Sequence, residues 1–204
     1  MIYYIGQLEQ NETGGKVREN ELAEENPKAE TVEKPPFDLV EALIVPHTAL
    51  VVMDMQNNFL QSFYGDTDGL INEHKLLINF CNIQKIPVFF VGLAMDDTWG
   101  SNREIHQDLL DLAINPAEQV ICKPTDDAFL DTDFADRLRA ADVQRIVIIG
   151  THIDGCIYLS AVSGKKQGFE VYASDYGSLI HDKNQYYPVR HIFNRLGIHF
   201  LRRD

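Results

Sequence analysis

The stretch that decides the fold is Ile146-Val-Ile-Ile-Gly-Thr-His-Ile-Asp-Gly-Cys156-Ile-Tyr-Leu-Ser-Ala161. It begins with β-branched residues, breaks at Gly150 and resumes over residues 154–162 with the composition of a helix. This order predicts a buried strand, a tight loop and a helix that begins beside Cys156. A thiol there lies near the positive end of the helix dipole, which favours thiolate over thiol. Because free cysteines are commonly buried and inert, this stretch alone favours a packing role for Cys156.

The same alternation of strand and helix continues on both sides of this stretch. Residues 49–53 and 86–91 are continuous apolar runs, and residues 70–84 between them place apolar side chains at helical spacing. Six such strands, each apolar throughout and separated by helices, predict a mainly parallel sheet covered on both faces. The fold class is therefore α/β, with three layers in the order α/β/α.

The first 45 residues differ in composition from the rest. Residues 9–34 are rich in Glu, Asn, Gly and Lys, and the segment closes on Pro35-Pro36. We predict an acidic N-terminal arm over residues 1–45 and one folded domain over residues 46–204. A neighbouring subunit is one candidate for what the arm packs against.

Charge and cysteine content limit the partners of the chain. The formal charge of −13 argues against binding to nucleic acid or to an anionic membrane surface. No apolar run approaches the roughly 20 residues of a membrane helix, and the N-terminus lacks the pattern of a secretory signal. The three cysteines show no CxxC spacing, so neither a disulfide framework nor a zinc knuckle is indicated. We expect a cytoplasmic protein with free thiols.

Three reactive side chains follow predicted strands. In an open parallel sheet, ligands bind beyond the carboxyl ends of the strands, and Asp54, Lys123 and Cys156 all fall there. Taken singly, the aspartate could cap a turn, the lysine could be solvated, and the cysteine could fill space. Taken together, they provide a proton acceptor, a cation and a nucleophile.

Three motifs in order resemble one family. Asp54-Met-Gln-Asn-Asn-Phe59 resembles the DMQNDF motif of the isochorismatase-like cysteine hydrolase superfamily, which includes nicotinamidases and N-carbamoylsarcosine amidases. Lys123-Pro-Thr-Asp-Asp-Ala-Phe129 is similar to its K-x(4)-A-F segment, and Gly150-Thr-His-Ile-Asp-Gly-Cys156 is similar to its cysteine signature. The resemblance runs from about residue 48 to the C-terminus.

The resemblance implies a doubly wound, Rossmann-like sheet and a catalytic triad of Asp54, Lys123 and Cys156. It also implies a cis peptide bond between Thr151 and His152. The backbone N–H groups of His152 and Cys156 would then form an oxyanion hole. The His152 side chain could point away from the site or take part in the chemistry.

The implied reaction is hydrolysis of a C–N bond in a small amide or a carbamoyl or ureido compound, through a thioester on Cys156. Relatives that hydrolyse isochorismate typically lack the cysteine. Nicotinamidases carry an Asp-x-His motif and a further histidine as metal ligands, whereas residues 92–99 here contain no Asp-x-His. We therefore predict no catalytic metal and no cofactor.

Aromatic residues are the candidates for substrate contacts. We predict Phe59, Trp99 and Tyr158 for this role, although each could equally belong to the core or to an interface. A homo-oligomer, dimer or tetramer, is expected. Alternative functions are hydrolysis of another small metabolite, as in isochorismatase itself, or service as a catalytically idle binding or scaffold protein. A thiol-redox protein is a further alternative, disfavoured because no resolving cysteine lies nearby in sequence.

Overall fold

The computed structural model of the protein describes residues 35–62, 66–93 and 104–203. Trp99 and residues 1–34 of the predicted arm lie outside these ranges. The six strands are β1 (Thr48–Met53), β2 (Val88–Leu93), β3 (Val120–Lys123), β4 (Arg145–Thr151), β5 (Glu170–Leu179) and β6 (His199–Leu201). The helices are α1 (Phe37–Ile44), α2 (Asn57–Ser62), α3 (Thr67–Gln84), α4 (Gln107–Leu110), α5 (Pro116–Gln119), α6 (Phe134–Ala140), α7 (Cys156–Lys166) and α8 (Tyr186–Leu196).

The strands form one sheet in the order β3-β2-β1-β4-β5-β6, and every neighbouring pair is parallel. The chain builds outward from β1 to β3 and then returns to place β4 on the other side of β1. The strand order therefore reverses between β1 and β4, which is where a doubly wound sheet opens a crevice for ligands. The predicted fold class is confirmed.

The sheet is buried on both faces because its central strands are apolar at every position. Along β1, Ala49, Val51 and Met53 pack into one core, whereas Leu50 and Val52 pack into the other. The first core is completed by α6, α7 and α8, and the second by α1, α3 and α4. Continuous apolar strands of this kind require helices on both sides.

Helix α1 belongs to the second core, although it precedes residue 46. Its Leu39 and Leu43 are fully buried together with Leu50 of β1. The short sequence from Phe37 to Val45, which reads as either a helical turn or an extended segment, is thus a helix of two turns.

Strand β5 is longer than its apolar run of residues 169–173 predicts. Its register against β4 shifts between Ile148 and Gly150, which pair with Ala173 and Ser178. The irregularity lets β5 continue to Leu179 and carries the following residues to the carboxyl edge of the sheet. In the described part of the chain, no helix is long and apolar enough to cross a membrane.

Candidate active site

Asp54 lies directly after β1, at the reversal point of the sheet. Its backbone takes a positive φ of 49° and donates a hydrogen bond of 2.7 Å to the carbonyl oxygen of Val91 in β2. The side chain is almost entirely buried, with 1% of its surface exposed. The Asp54 carbonyl in turn accepts a hydrogen bond of 2.9 Å from the hydroxyl of Thr151 at the end of β4. The carboxylate is therefore held between two strand ends.

Lys123 reaches Asp54 from β3, which lies two strands away. Two strand spacings are roughly 10 Å, a distance that the long lysine side chain can cover in large part. Its Nζ lies 2.9 Å from Asp54 Oδ2, and the lysine side chain is fully buried. The same Nζ donates to the carbonyl oxygens of Thr125 at 3.2 Å and Asp126 at 3.3 Å. The buried ammonium thus has one ion pair and two hydrogen bonds to stabilise it.

Cys156 is the first residue of α7, directly after the loop that follows β4. The peptide bond between Thr151 and His152 in this loop is cis. The carbonyl of His152 accepts hydrogen bonds from the N–H groups of Gly155 and Ile157. At the first position of α7, the N–H of Cys156 has no partner within the helix.

Gly150 allows β4 to approach β1 at this point. Its φ is +125°, and a Cβ atom built on it would lie 2.0 Å from the carbonyl oxygen of Met53. Only glycine fits such a contact. The loop after β4 can therefore begin immediately beside Asp54.

The thiol of Cys156 faces two carboxylates. Burial raises the pKa of Cys156 above its usual range, and the negative charge of Asp54 raises it further, against the opposing effect of Lys123. Asp126 also raises it, and the Cys156 Sγ lies 3.5 Å from Asp126 Oδ1. The start of helix α7 favours the thiolate, but burial and the neighbouring negative charges act in the opposite direction. The net effect favours the thiol over the thiolate.

The pKa of Asp54 is shifted as well. Burial raises the pKa of the Asp54 carboxyl, although the Lys123 ammonium and a hydrogen bond with the Cys156 thiol oppose this. A carboxylate with a raised pKa is a better proton acceptor than an ordinary aspartate. Asp54 and Cys156 can therefore exchange a proton within the buried pair.

Asp126 is a further member of the site, and the sequence motifs do not indicate a role for it. Its backbone carbonyl accepts from the hydroxyl of Ser160, one turn after Cys156 on α7, and that hydroxyl accepts from the N–H of Ala128. The neighbouring Asp127 carboxylate accepts a further bond from Ser163. These contacts fix the loop after β3 against α7. The sequence signal for Asp126 was its position three residues after Lys123, a lysine at the end of a predicted strand.

A cavity of about 310 Å³ opens above these groups. Among the described residues, its lining is formed by Asp54, Phe59, Leu93, Asp126, Thr151, His152, Asp154, Gly155, Cys156 and His181. Its volume is at the lower end of the range of small-molecule sites. The cavity therefore suits a substrate of few non-hydrogen atoms.

Two histidines form one wall of this cavity. The rings of His152 and His181 meet edge to face, with centroids 5.8 Å apart. Burial lowers the pKa of His152, assisted by His181 and opposed by Asp154. His181 was not predicted, because its place depends on the extended end of β5. The Asp154 carboxylate accepts its backbone N–H at 2.8 Å.

The predicted aromatic contacts have different outcomes. Phe59 lines the cavity. Tyr158 instead stacks on Phe193 of α8, with ring centroids 5.9 Å apart, and packs against the first core. Because its ring is turned toward α8, Tyr158 is not among the described residues around the cavity. Trp99 lies outside the described ranges.

Within the described residues, no group of three or more His, Cys, Asp or Glu side chains is placed to hold a metal ion. The absence of a catalytic metal stays a prediction. Lys123 and Asp54 form an ion pair, and the remaining titratable groups of the described cavity lining are two carboxylates, two imidazoles and the Cys156 thiol.

A larger cavity, of about 720 Å³, lies elsewhere and contains none of these groups. It is lined by Pro87, Val88 and Gln119, among others, at the amino ends of β2 and β3. Ligands of doubly wound sheets bind at the opposite edge. The smaller cavity is therefore the candidate active site.

The fold and the site define the class: a three-layer α/β protein whose reactive groups collect at the switch point of a doubly wound sheet. An isochorismatase domain matches residues 48–177, well over half of the 204 residues. The chain belongs to the isochorismatase family and is a hydrolase of that family. No curated protein sequence matches it.

Solved structures share the fold at low sequence identity. The nicotinamidase from Staphylococcus aureus superposes with a TM-score of 0.67 and 22% identity, over 77% of this chain and 98% of that one. N-carbamoylsarcosine amidase from Thermoplasma acidophilum gives 0.63 and 21%, over 77% and 96%. An octameric hydrolase of unknown specificity from Escherichia coli gives 0.66 and 19%, over 76% and 75%.

Proposed function

We propose that this protein is a cysteine hydrolase that cleaves a C–N bond of a small amide or of a carbamoyl or ureido compound. The observation that carries the proposal is the buried pair of Asp54 and Lys123, whose Oδ2 and Nζ atoms lie 2.9 Å apart beneath Cys156. A buried ion pair is costly unless each partner is satisfied, and it is weak evidence for stability. A catalytic role gives a reason for placing this pair beside a thiol.

The first half of the reaction forms an acyl-enzyme. Asp54 takes the proton of the Cys156 thiol while Sγ attacks the carbonyl carbon of the substrate. The resulting oxyanion accepts hydrogen bonds from the N–H groups of His152 and Cys156. Asp54 then passes its proton to the leaving nitrogen, the C–N bond breaks, and ammonia or an amine departs from a thioester.

The second half releases the acid. Asp54, again a carboxylate, takes a proton from a water molecule that attacks the thioester carbon. The C–S bond breaks, the sulfur recovers the proton, and a carboxylic or carbamic acid leaves. Lys123 stays protonated and holds Asp54 in place through both halves.

The size of the site and the structural neighbours support this reaction class. A cavity of about 310 Å³ accepts a compact amide. Two of the structural neighbours are a nicotinamidase and an N-carbamoylsarcosine amidase. A homo-oligomer, for which the octameric neighbour offers a precedent, and a cytoplasmic location stay predictions.

Ammonia release from a panel of small amides and ureido compounds tests the proposal. We expect Cys156→Ala to lower kcat/KM by at least about a thousandfold, since the residues of a catalytic triad act as a unit. Cys122→Ser is the matched control, because Cys122 is exposed and directly precedes Lys123. It should keep most of the parent activity.

Mass spectrometry of acid-quenched reactions tests the intermediate itself. The parent should carry the acyl group on Cys156, and Cys156→Ala should carry none. Ammonia release by Cys156→Ala at the parent rate would overturn the proposal. Absence of both turnover and adduct across the panel would favour an idle binding protein.

A further inference from the structure

The Asp126 carboxylate stands at the mouth of the candidate active site. Its Oδ1 is 3.5 Å from the Cys156 sulfur, and the residue is exposed and lines the cavity. No lysine, arginine or histidine of the described residues forms an ion pair with it. Hydrogen bonds from Lys123 and Ser160 to the backbone carbonyl of Asp126 hold this part of the loop in place.

Neither Lys123 nor His152 is placed to supply a cation for it. The Lys123 ammonium is fully buried and bound to Asp54 and two carbonyls. The Asp154 carboxylate accepts the backbone N–H groups of His181 and Asp182 and adds a second negative charge. Burial lowers the pKa of His152, which disfavours a positive charge on its imidazole. Among the described residues, Asp126 and Asp154 therefore place two carboxylates at the mouth of the cavity.

This negative charge opposes the nucleophile when the site is empty. Asp126 raises the pKa of both Cys156 and Asp54. A cation bound beside Asp126 would offset the repulsion and make the thiolate easier to form. The Asp126 carboxylate would then disfavour the Cys156 thiolate in the free enzyme and would favour binding of a cationic substrate that offsets this effect.

We propose that Asp126 is a specificity-determining residue that selects substrates with a cationic nitrogen, such as an ammonium group, in the part of the molecule next to the scissile carbonyl. The carbonyl carbon must bond to Sγ. A nitrogen that is separated from the carbonyl carbon by one or two carbon atoms can then come within hydrogen-bond reach of Asp126 Oδ1. A charge-assisted hydrogen bond at that place orients the substrate as well as holding it. The role of Asp126 in substrate selection rests on the proposed function. The preference of Cys156 for cationic over anionic thiol reagents does not depend on it.

Labelling with charged thiol reagents measures the preference without a substrate. Two methanethiosulfonates of similar size, one with a trimethylammonium and one with a sulfonate group, react with the Cys156 thiolate to form a disulfide and release methanesulfinate. A Cys122→Ser background removes the exposed cysteine, and Cys81 is fully buried. We expect the ratio of cationic to anionic labelling rates to fall about tenfold in Asp126→Asn at physiological salt.

The control is Asp136→Asn, which removes one exposed carboxylate on α6 away from the cavity. Its ratio should equal that of the parent. If Asp126→Asn fails to fold, Asp126→Ala carries the same prediction. A ratio in the Asp126 variant within about twofold of the parent would overturn the inference.

A matched pair of amides tests the same preference in turnover. β-Alaninamide carries an ammonium where butanamide carries a methyl group, and the ratio of their kcat/KM values should exceed one in the parent and fall about tenfold in Asp126→Asn. Equal ratios in both proteins would contradict the inference and leave the hydrolase assignment standing. Turnover that survives Cys156→Ala would contradict the hydrolase mechanism, while the labelling ratio would still decide the role of Asp126.

Discussion

At the scale of the residue, Asp54 and Cys156 divide one proton between them under the control of Lys123. Each of the two acidic groups has a raised pKa, chiefly because each is buried. Lys123 opposes both shifts, and its Nζ is held by an ion pair with Asp54 and by hydrogen bonds to two backbone carbonyls. A thiol that is protonated at rest and faces a carboxylate matches a nucleophile activated during attack, not before it.

The pH dependence of Cys156 alkylation follows from these charges. In the Cys122→Ser background, the rate with iodoacetamide should rise with pH and reach its midpoint above the roughly 8.5 of a free cysteine. Asp54→Asn removes the charge that raises the pKa of Cys156 most and should lower the midpoint by about one unit or more. A parent midpoint under about 7, or the same midpoint in both proteins, would show that the helix start dominates instead. Circular dichroism checks that Asp54→Asn is folded.

At the scale of the element, the unit from β4 to α7 brings the loop of the site against β1. Gly150 lets the two backbones meet, and its N–H donates to the hydroxyl of Ser178 in β5. The contact between Gly150 and Met53 sets where the loop begins, and thus where Cys156 stands relative to Asp54. A side chain at position 150 would displace the nucleophile and its proton acceptor together.

Two glycine substitutions separate close packing from backbone strain. Gly168→Ala, at a φ of +93° with nothing within 4 Å of the new Cβ, should lower the free energy of unfolding by about 1–2 kcal/mol. Gly150→Ala adds a contact of 2.0 Å with a backbone oxygen and should cost roughly 3 kcal/mol more. Urea unfolding followed by circular dichroism measures both. Equal losses would mean that strain in φ, and not the approach to Met53, decides the role of Gly150.

The elements that sequence predicts best are those whose pattern is set by burial on both faces. Strands β1, β2 and β4 are continuous apolar runs, and their carboxyl ends placed Asp54 and Cys156 at one edge of the sheet. The far half of β5 was missed because a register shift interrupts it and residues 174–178 have the composition of a turn.

The site residues that were missed, Asp126 and His181, depend on the paths of loops. Asp126 is positioned by bonds between the loop after β3 and α7, and His181 by the Asp154 carboxylate. Neither contact follows from periodicity. Tyr158 was predicted to contact the substrate because it lies near the nucleophile in sequence. Its ring instead packs toward the core against Phe193.

At the scale of the whole molecule, the sheet divides the described part of the domain into two cores. Glu73 on α3 connects this helix with β5 and with Arg203 near the end of the described chain. Its carboxylate accepts the backbone N–H of Gly177 in β5 at 2.9 Å and pairs with both terminal nitrogens of Arg203, at 2.6 and 2.9 Å. The Arg203 guanidinium also lies over the Tyr176 ring, 5.2 Å from its centroid.

Substitutions of Glu73 separate the charge of this contact from its hydrogen bond. Glu73→Gln keeps an acceptor for the Gly177 N–H and should lower the free energy of unfolding by about 1 kcal/mol. Glu73→Ala leaves a buried N–H without an acceptor and should cost about 2–4 kcal/mol. Glu41→Ala, at an exposed glutamate of α1, controls for helix propensity and should change stability by less than about 0.5 kcal/mol.

Equal losses in Glu73→Gln and Glu73→Ala would assign the contact to the ion pair with Arg203 alone. A smaller loss of stability in Glu73→Gln than in Glu73→Ala would instead show that Glu73 holds the irregular part of β5 against α3 as a hydrogen-bond acceptor. Because that part of β5 leads to His181, loosening it should also reach the cavity. Glu73→Ala should therefore lower the labelling rate of Cys156 or alter its ratio between charged reagents, whereas Glu73→Gln should leave both close to the parent values.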